Sequence, residues 1–93
     1  MFLTLLHVSG GVLGQDGNIY CVPCDAEFVL VINPSTLELT RIGQGAIPKG
    51  RDKFQGGFSC GGDGNIYCIP ETSSVILKIL IQTQEVVIID SIS

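Results

Sequence analysis

The chain has 93 residues, 45% of them hydrophobic and 15% charged, with a formal net charge of −4. That length holds one small domain with a limited core, and the balance of apolar over charged residues is the opposite of what disorder needs. Five basic residues against nine acidic ones supply no basic patch for a phosphate backbone, so nucleic acid is not an expected partner.

The first eight residues, Met1-Phe2-Leu3-Thr4-Leu5-Leu6-His7-Val8, are apolar but have no basic start, and they run straight into a segment that repeats later. A signal peptide is therefore not expected. No apolar run approaches the ~20 residues that span a bilayer, so no membrane partner is expected either. The compartment stays open, with the cytoplasm slightly ahead.

A first strand is predicted over 10–13. The turn that follows ends in Asp16-Gly17. Asp-Gly between apolar runs signals a hairpin, because glycine takes positive φ without a Cβ penalty. A second strand over 18–22 stops at Pro23, since proline cannot donate to the ladder. A third runs over 28–32 and meets Asn33-Pro34-Ser35-Thr36. There proline presets φ, and the Asn side chain bonds back to the chain. A fourth strand runs over 37–42. The same series then returns, with strands at 56–60, 65–69, 75–81 and 85–89. Asp63-Gly64 stands in the place of Asp16-Gly17, while Leu80-Ile81-Gln82-Thr83 replaces the Asn-Pro turn. No stretch sustains a 3.6-residue period, and β-branched residues dominate the apolar runs, so no helix is expected.

The return is a duplication. Gly14-Gln15-Asp16-Gly17-Asn18-Ile19-Tyr20-Cys21-Val22-Pro23 reappears as Gly61-Gly62-Asp63-Gly64-Asn65-Ile66-Tyr67-Cys68-Ile69-Pro70, and from Asp16 to Asp63 the offset is 47. Upstream, Gly10-Gly11 pairs with Gly56-Gly57, so the second copy carries one extra residue. The repeats cover about 10–43 and 56–90, within a single domain of 1–93. In the second copy Val75-Ile76-Leu77-Lys78-Ile79-Leu80-Ile81 and Val86-Val87-Ile88-Ile89 are apolar on both faces apart from Lys78. A sheet with one wet face would alternate, so these strands expect cover on both sides.

Four antiparallel strands in a repeat of about 40 to 50 residues match the period of a propeller blade. Asp16 to Pro23, followed by Val29-Leu30-Val31-Ile32-Asn33-Pro34-Ser35-Thr36, resembles the DG-x-I-Y … V-x-V-I-D-P-x-T pattern of YVTN-, NHL- and lactonase-like β-propellers. The Gly-Gly opening of each first strand is loosely similar to kelch repeats, although the Trp of kelch is missing. The resemblance covers nearly the whole chain and implies an all-β fold: two tandem four-stranded antiparallel blades of a β-propeller. Such a propeller is incomplete, because closure takes roughly four to eight blades. It further implies that the loops at 23–27 and 70–74 share a rim with the connection at 43–53. Asp25, Glu27, Lys49, Arg51, Lys53 and Glu71 are thus the candidate binding-rim residues. The plain reading of Lys49, Arg51 and Lys53 is a solvated loop, and the functional one is contact with an anionic ligand or partner.

Other features weigh toward structure. Cys21-Val22-Pro23-Cys24 is a CxxC, and Cys60 and Cys68 would complete four thiolates. But Cys21 and Cys68 are repeat-equivalent, and structural zinc favours paired CxxC units. Core cysteines are expected ahead of a disulfide or zinc. Gly61-Gly62-Asp63-Gly64-Asn65 lacks the next aspartate of a calcium repeat and reads as a turn. Gly43-Gln44-Gly45 is followed by Pro48, not by the helix a dinucleotide site requires. His7 is the only histidine and has no acid or nucleophile placed beside it. Asp16 and Asp63 are turn formers on separate repeats.

No catalytic residue, metal ligand or cofactor is expected. The leading expectation is a non-catalytic binding or scaffolding module, partnered by itself, by further blades or by another protein. One alternative is a fragment of a propeller enzyme, lactonase- or hydrolase-like, whose catalytic residues lie in blades outside this chain. Against it, the first strands offer only Gly, Val, Leu, Phe, Ser and Cys. The other is a truncated gene product without independent function.

Overall fold

The structure, a computed structural model, describes residues 8–90. His7 and the segment before it lie outside the described residues. Among the described residues there are eight strands and no helix. They are β1 (Val8–Leu13), β2 (Ile19–Pro23), β3 (Val29–Ile32), β4 (Leu39–Ile42), β5 (Phe54–Ser59), β6 (Ile66–Pro70), β7 (Ile76–Leu80) and β8 (Glu85–Ile89). They form two four-stranded antiparallel sheets, ordered β1-β2-β3-β4 and β5-β6-β7-β8. Each sheet is one sequence repeat, and every connection inside it is a hairpin.

The two copies share their irregularities. Register shifts between Val8 and Gly11 against β2, and again between Phe54 and Gly57 against β6. At Gly57 a Cβ would lie 2.7 Å from the Tyr67 carbonyl oxygen. Glycine there lets β5 approach β6 closely past the bulge. The extra residue of the second copy is absorbed in the first hairpin turn. Gly14 donates to Asn18 O and Cys60 donates to Asn65 O, both at 2.8 Å, so these residues bracket turns of unequal length.

The sequence-expected strands all form, with ends shifted by a residue or two. Pro23 and Pro70 are the last residues of β2 and β6, opposite Val8 and Phe54 beyond the bulge. The turn after the third strand survives in the second copy despite its changed chemistry. Leu37 and Gln84 hold φ of 63° and 61°, and their amides donate to Asn33 O and Leu80 O at 2.7 and 2.9 Å. In the first copy Asn33 Oδ1 accepts from Ser35 N at 2.9 Å. In the second, Gln84 Nε2 donates to Ile81 O at 3.2 Å.

Strand pleating gives each sheet two faces. In the first, the row Val12-Tyr20-Val31-Thr40 lies on one face and Gly11-Cys21-Leu30-Arg41 on the other. The matching rows in the second are Phe58-Tyr67-Lys78-Val87 and Gly57-Cys68-Leu77-Ile88. We call these the Tyr face and the Cys face. The core lies between the Tyr face of the first repeat (Tyr20, Val22, Val29, Val31) and the Cys face of the second (Ile66, Cys68, Leu77, Ile79). Ile42, Ile47 and Phe54 complete it. Burying a side chain of this size stabilises by about 1.5–3 kcal/mol, so this seam is a strong source of cohesion between the repeats.

Candidate functional site

The connection between the sheets is the part of the chain where polar chemistry gathers. Its last residues, 51–53, are held between the β2–β3 loop and the β6–β7 loop. Lys53 N donates to Cys24 O at 3.0 Å, and Lys53 O accepts from Glu71 N at 2.8 Å. Asp52 N donates to Asp25 Oδ1 at 3.0 Å. Thr72 Oγ1 donates to Arg51 O at 2.7 Å. Three loops distant in sequence are thereby tied into one rim.

At the centre of this rim is Lys53, with 1% of its surface exposed. Its ammonium donates to Ala26 O at 2.9 Å and to Gly50 O at 3.0 Å. Burial lowers its pKa, and the charges of Asp25 and Glu27 oppose this only in part. A lone ammonium taken out of water costs several kcal/mol. Two carbonyls and nearby carboxylates offset that cost and keep the charge in place. Lys53 is therefore not part of a solvated basic cluster with Lys49 and Arg51. Those two stay exposed, and their neighbour turns inward as a bracket for the loops. Of the other rim residues, Asp25 is half-buried beside Lys53, and Glu27 and Glu71 are exposed.

The rim also brings together residues the sequence did not pair. Donor atoms of Cys24, Asp25 and Asp52 lie within 4.8 Å of one another. The Cys24 thiol is buried and donates to Asp52 Oδ1 at 3.5 Å. Burial, then Asp52, pushes its pKa up. That favours the thiol over the thiolate that binds a soft metal, and the charge of Asp25 acts on the buried Lys53 ammonium. The cluster ties the β2–β3 loop to the connection through Cys24, Asp25 and Asp52. All four cysteines are free, with Cys21, Cys24 and Cys68 buried. Burial holds the Cys68 thiol up at about 12.

At the opposite rim each first hairpin carries the same Asp–Tyr device. Asp16 Oδ1 accepts from Asn18 N at 3.0 Å, and Asp16 Oδ2 accepts from the Tyr20 hydroxyl at 2.5 Å. Asp63 repeats both contacts with Asn65 N and the Tyr67 hydroxyl. The spacing Asp-x-x-x-Tyr in both copies was the available sequence signal for this pairing. Asp63 is held well below the usual carboxylate range, first by the Tyr67 hydroxyl and then by the Asn65 amide. A cleft of about 270 Å³ opens between Gln15 of the first hairpin turn and Leu80-Ile81-Gln82-Thr83 of the second repeat.

The largest unassigned feature is apolar. The Tyr face of the second repeat leaves Phe58 50% and Ile69 45% exposed, and the Cys face of the first leaves Leu13 65% and Leu39 60% exposed. These two outward faces are the strongest candidate functional surface. Phe58 stacks on Tyr67 with ring centroids 5.8 Å apart, and Lys78 Nζ lies 5.4 Å from the Tyr67 centroid and 3.7 Å from Asp63.

Comparison with family models, with curated proteins and with solved structures found no match for this chain. No described helix is long and apolar enough to cross a membrane.

Proposed function

We propose that the chain is a non-catalytic binding and scaffolding module: two propeller-type blades that work by packing against further β sheet. One observation carries this reading. Each sheet turns a second face outward on which large apolar side chains stay exposed: Leu13 and Leu39 on the first, beside a buried Cys21 and an exposed Arg41, and Phe58, Ile69 and Val87 on the second, beside Lys78. Contiguous apolar surface of this kind marks an interaction site or an aggregation liability. In stacked-repeat proteins each unit is stabilised by its neighbours, and about three or more are usually needed. The rim supports the same reading. Its buried ammonium is held by two backbone carbonyls, and its thiol by a carboxylate. These groups hold loops together and are not poised to transfer protons.

The test is a tandem protein, two full copies of the chain joined by a short flexible linker. If the outward faces accept a blade, the tandem holds within one chain a seam that single chains can form only by association, so the two are compared at a dilution where single chains are dissociated. Its melting temperature should rise by about 5 °C or more, since each kcal/mol is worth roughly 4–8 °C in a domain this small. A tandem that melts at the temperature of the single chain contradicts the proposal.

A further inference from the structure

The seam inside the chain records what each face of the repeat is built to meet, because both of its sides have a repeat-equivalent on the outside. On the covered Tyr face, Val12, Tyr20, Val22 and Val29 correspond to Phe58, Tyr67, Ile69 and Ile76 on the open one. On the covered Cys face, Ile66, Cys68, Leu77 and Ile79 correspond to Ile19, Cys21, Leu30 and Ile32, which are identical residue by residue. The outward Cys face of the first repeat thus shares this four-residue centre with the surface that already seats on a Tyr face, and differs from it at Leu13 for Ser59 and Arg41 for Ile88. The open Tyr face of the second repeat is a copy of the surface that already receives one.

We infer that the missing occupant of each outward face is a second copy of this chain, docked head to tail. The Cys face of repeat one in one copy seats on the Tyr face of repeat two in the next, as the two repeats seat within the chain. This rests on the reading of the sheets as stackable blades.

The departures from strict repetition fit the same seam. Inside the chain, Tyr20 donates to Asp16 and accepts from Gln84 Nε2 of the neighbouring repeat at 2.7 Å. The repeat-equivalent of Gln84 is Leu37, which shares its left-handed backbone and is 76% exposed. In a head-to-tail contact Leu37 would come to Tyr67, where it has no hydrogen bond to give. There Lys78 takes over. It stands where the first repeat has Val31, over the Tyr67 ring and within 3.7 Å of Asp63. Tyr67 therefore has its polar neighbours within its own sheet, and the place filled by Gln84 in the inner seam is free for an apolar side chain. Lys78 enters the contact already paired with Asp63.

A head-to-tail contact is heterologous, so it propagates until a rotation closes it into a ring or it runs on as a filament. If the rings have the roughly four to eight blades of propellers, they hold about two to four copies.

The test uses one variant for each face of the full chain. Ile69→Arg puts a charge on the open Tyr face, and Leu39→Arg puts one on the open Cys face. Both sites are exposed within the chain, and circular dichroism checks that each variant keeps its strands. Alone, each should sediment near the 9.9 kDa of one chain. Mixed, they should form a species of twice that mass and go no further, because the one intact Tyr face meets the one intact Cys face. If either variant does not fold, Phe58→Arg and Leu13→Arg replace them. A mixture that stays at the single-chain mass overturns the inference. So does either variant assembling alone, which would mean like faces meeting. Wild-type chain at the single-chain mass also overturns it. In that case a tandem that still gains stability leaves the blade reading standing, and a tandem without gain removes both.

Discussion

Tyr20 and Tyr67 occupy the same place in two copies of one motif, and they live in different surroundings. Each hydroxyl donates to the aspartate four residues before it at 2.5 Å. Tyr20 is fully buried and its pKa is pushed up to about 12, by burial first and by Asp16 second. Tyr67 is half-buried, and the hydrogen bond to Asp63 is the main cause of its upward shift, with Lys78 opposing. The local sequence builds the same hairpin and the same hydrogen bond twice. The difference comes from what lies against the face: repeat two covers Tyr20, whereas Tyr67 is flanked by Phe58 and Lys78 of its own sheet, with no second sheet among the described residues against it. One fold unit, read in two contexts, separates what the motif does for itself from what a neighbour does for it.

The sharpest way to break this comparison is to remove both rings. Tyr20→Ala should cost about 3–5 kcal/mol, the usual range for deleting a buried aromatic ring. Tyr67→Ala should cost well under half of that in the single chain and should act on association instead. Chemical denaturation of both variants measures the difference, and equal losses would mean that the faces are not distinguished by their cover.

Next in size is the contrast between Lys53 and Lys49. Lys53→Met removes the donor from Ala26 O and Gly50 O and should cost about 2 kcal/mol, as expected for charged hydrogen bonds with buried partners. Lys49→Met, at an exposed site, should stay within about 0.5 kcal/mol. Thermal melts of the two variants test whether the rim is a bracket or a solvated patch.

A smaller effect separates Leu37 from Gln84. Both hold positive φ, which strains a side chain with a Cβ by about 1–2 kcal/mol. Leu37→Gly should relieve that strain and raise the melting temperature, because Leu37 is exposed. Gln84→Gly relieves the same strain but forfeits the contact with Tyr20, so its gain should be smaller or absent. The Leu37 variant should also associate more weakly, because its side chain belongs to the proposed seam.

The smallest expected effect is electrostatic. The Asp63 carboxyl is held below its ordinary value of 3.8 in the folded chain. The folded state therefore binds this proton less readily than the unfolded one, and its stabilising contribution is full above that ordinary value. It is lost as pH falls further, through the folded pKa. Asp63→Asn should flatten the acid limb of a stability–pH curve, and an unchanged limb would remove Asp63 from the account.

Much of the architecture was legible in the sequence, because duplication and turn chemistry are local signals. The offset between Asp16 and Asp63 aligned the copies, and Asp-Gly and Asn-Pro placed hairpins where the chain turns. Cys21 and Cys68 are both buried, as their shared place in the repeat led one to expect, although Cys68 lies in the inner seam and Cys21 on the outward face. The turn at 80–84 was harder to read, since its geometry persists without the proline and asparagine that explain it in the first copy. The burial of Lys53 was not legible, because three nearby basic residues look like one solvated cluster in sequence. Its burial depends on carbonyls of Ala26 and Gly50, and only the folded connection brings these to one point. The clamp of Cys24, Asp25 and Asp52 was hidden for the same reason. The two open faces were half legible. The apolar runs of β7 and β8 announced a demand for cover, but which side of each sheet stays open depends on how the repeats stack.

Sedimentation equilibrium of the wild-type chain at micromolar concentration tests the central claim most directly, since it asks whether two apolar faces can stay open in water. The account predicts association into species whose masses are whole multiples of 9.9 kDa, growing with concentration. A single 9.9 kDa species with a cooperative melt would contradict it, and would mean that the seam between the two repeats suffices alone.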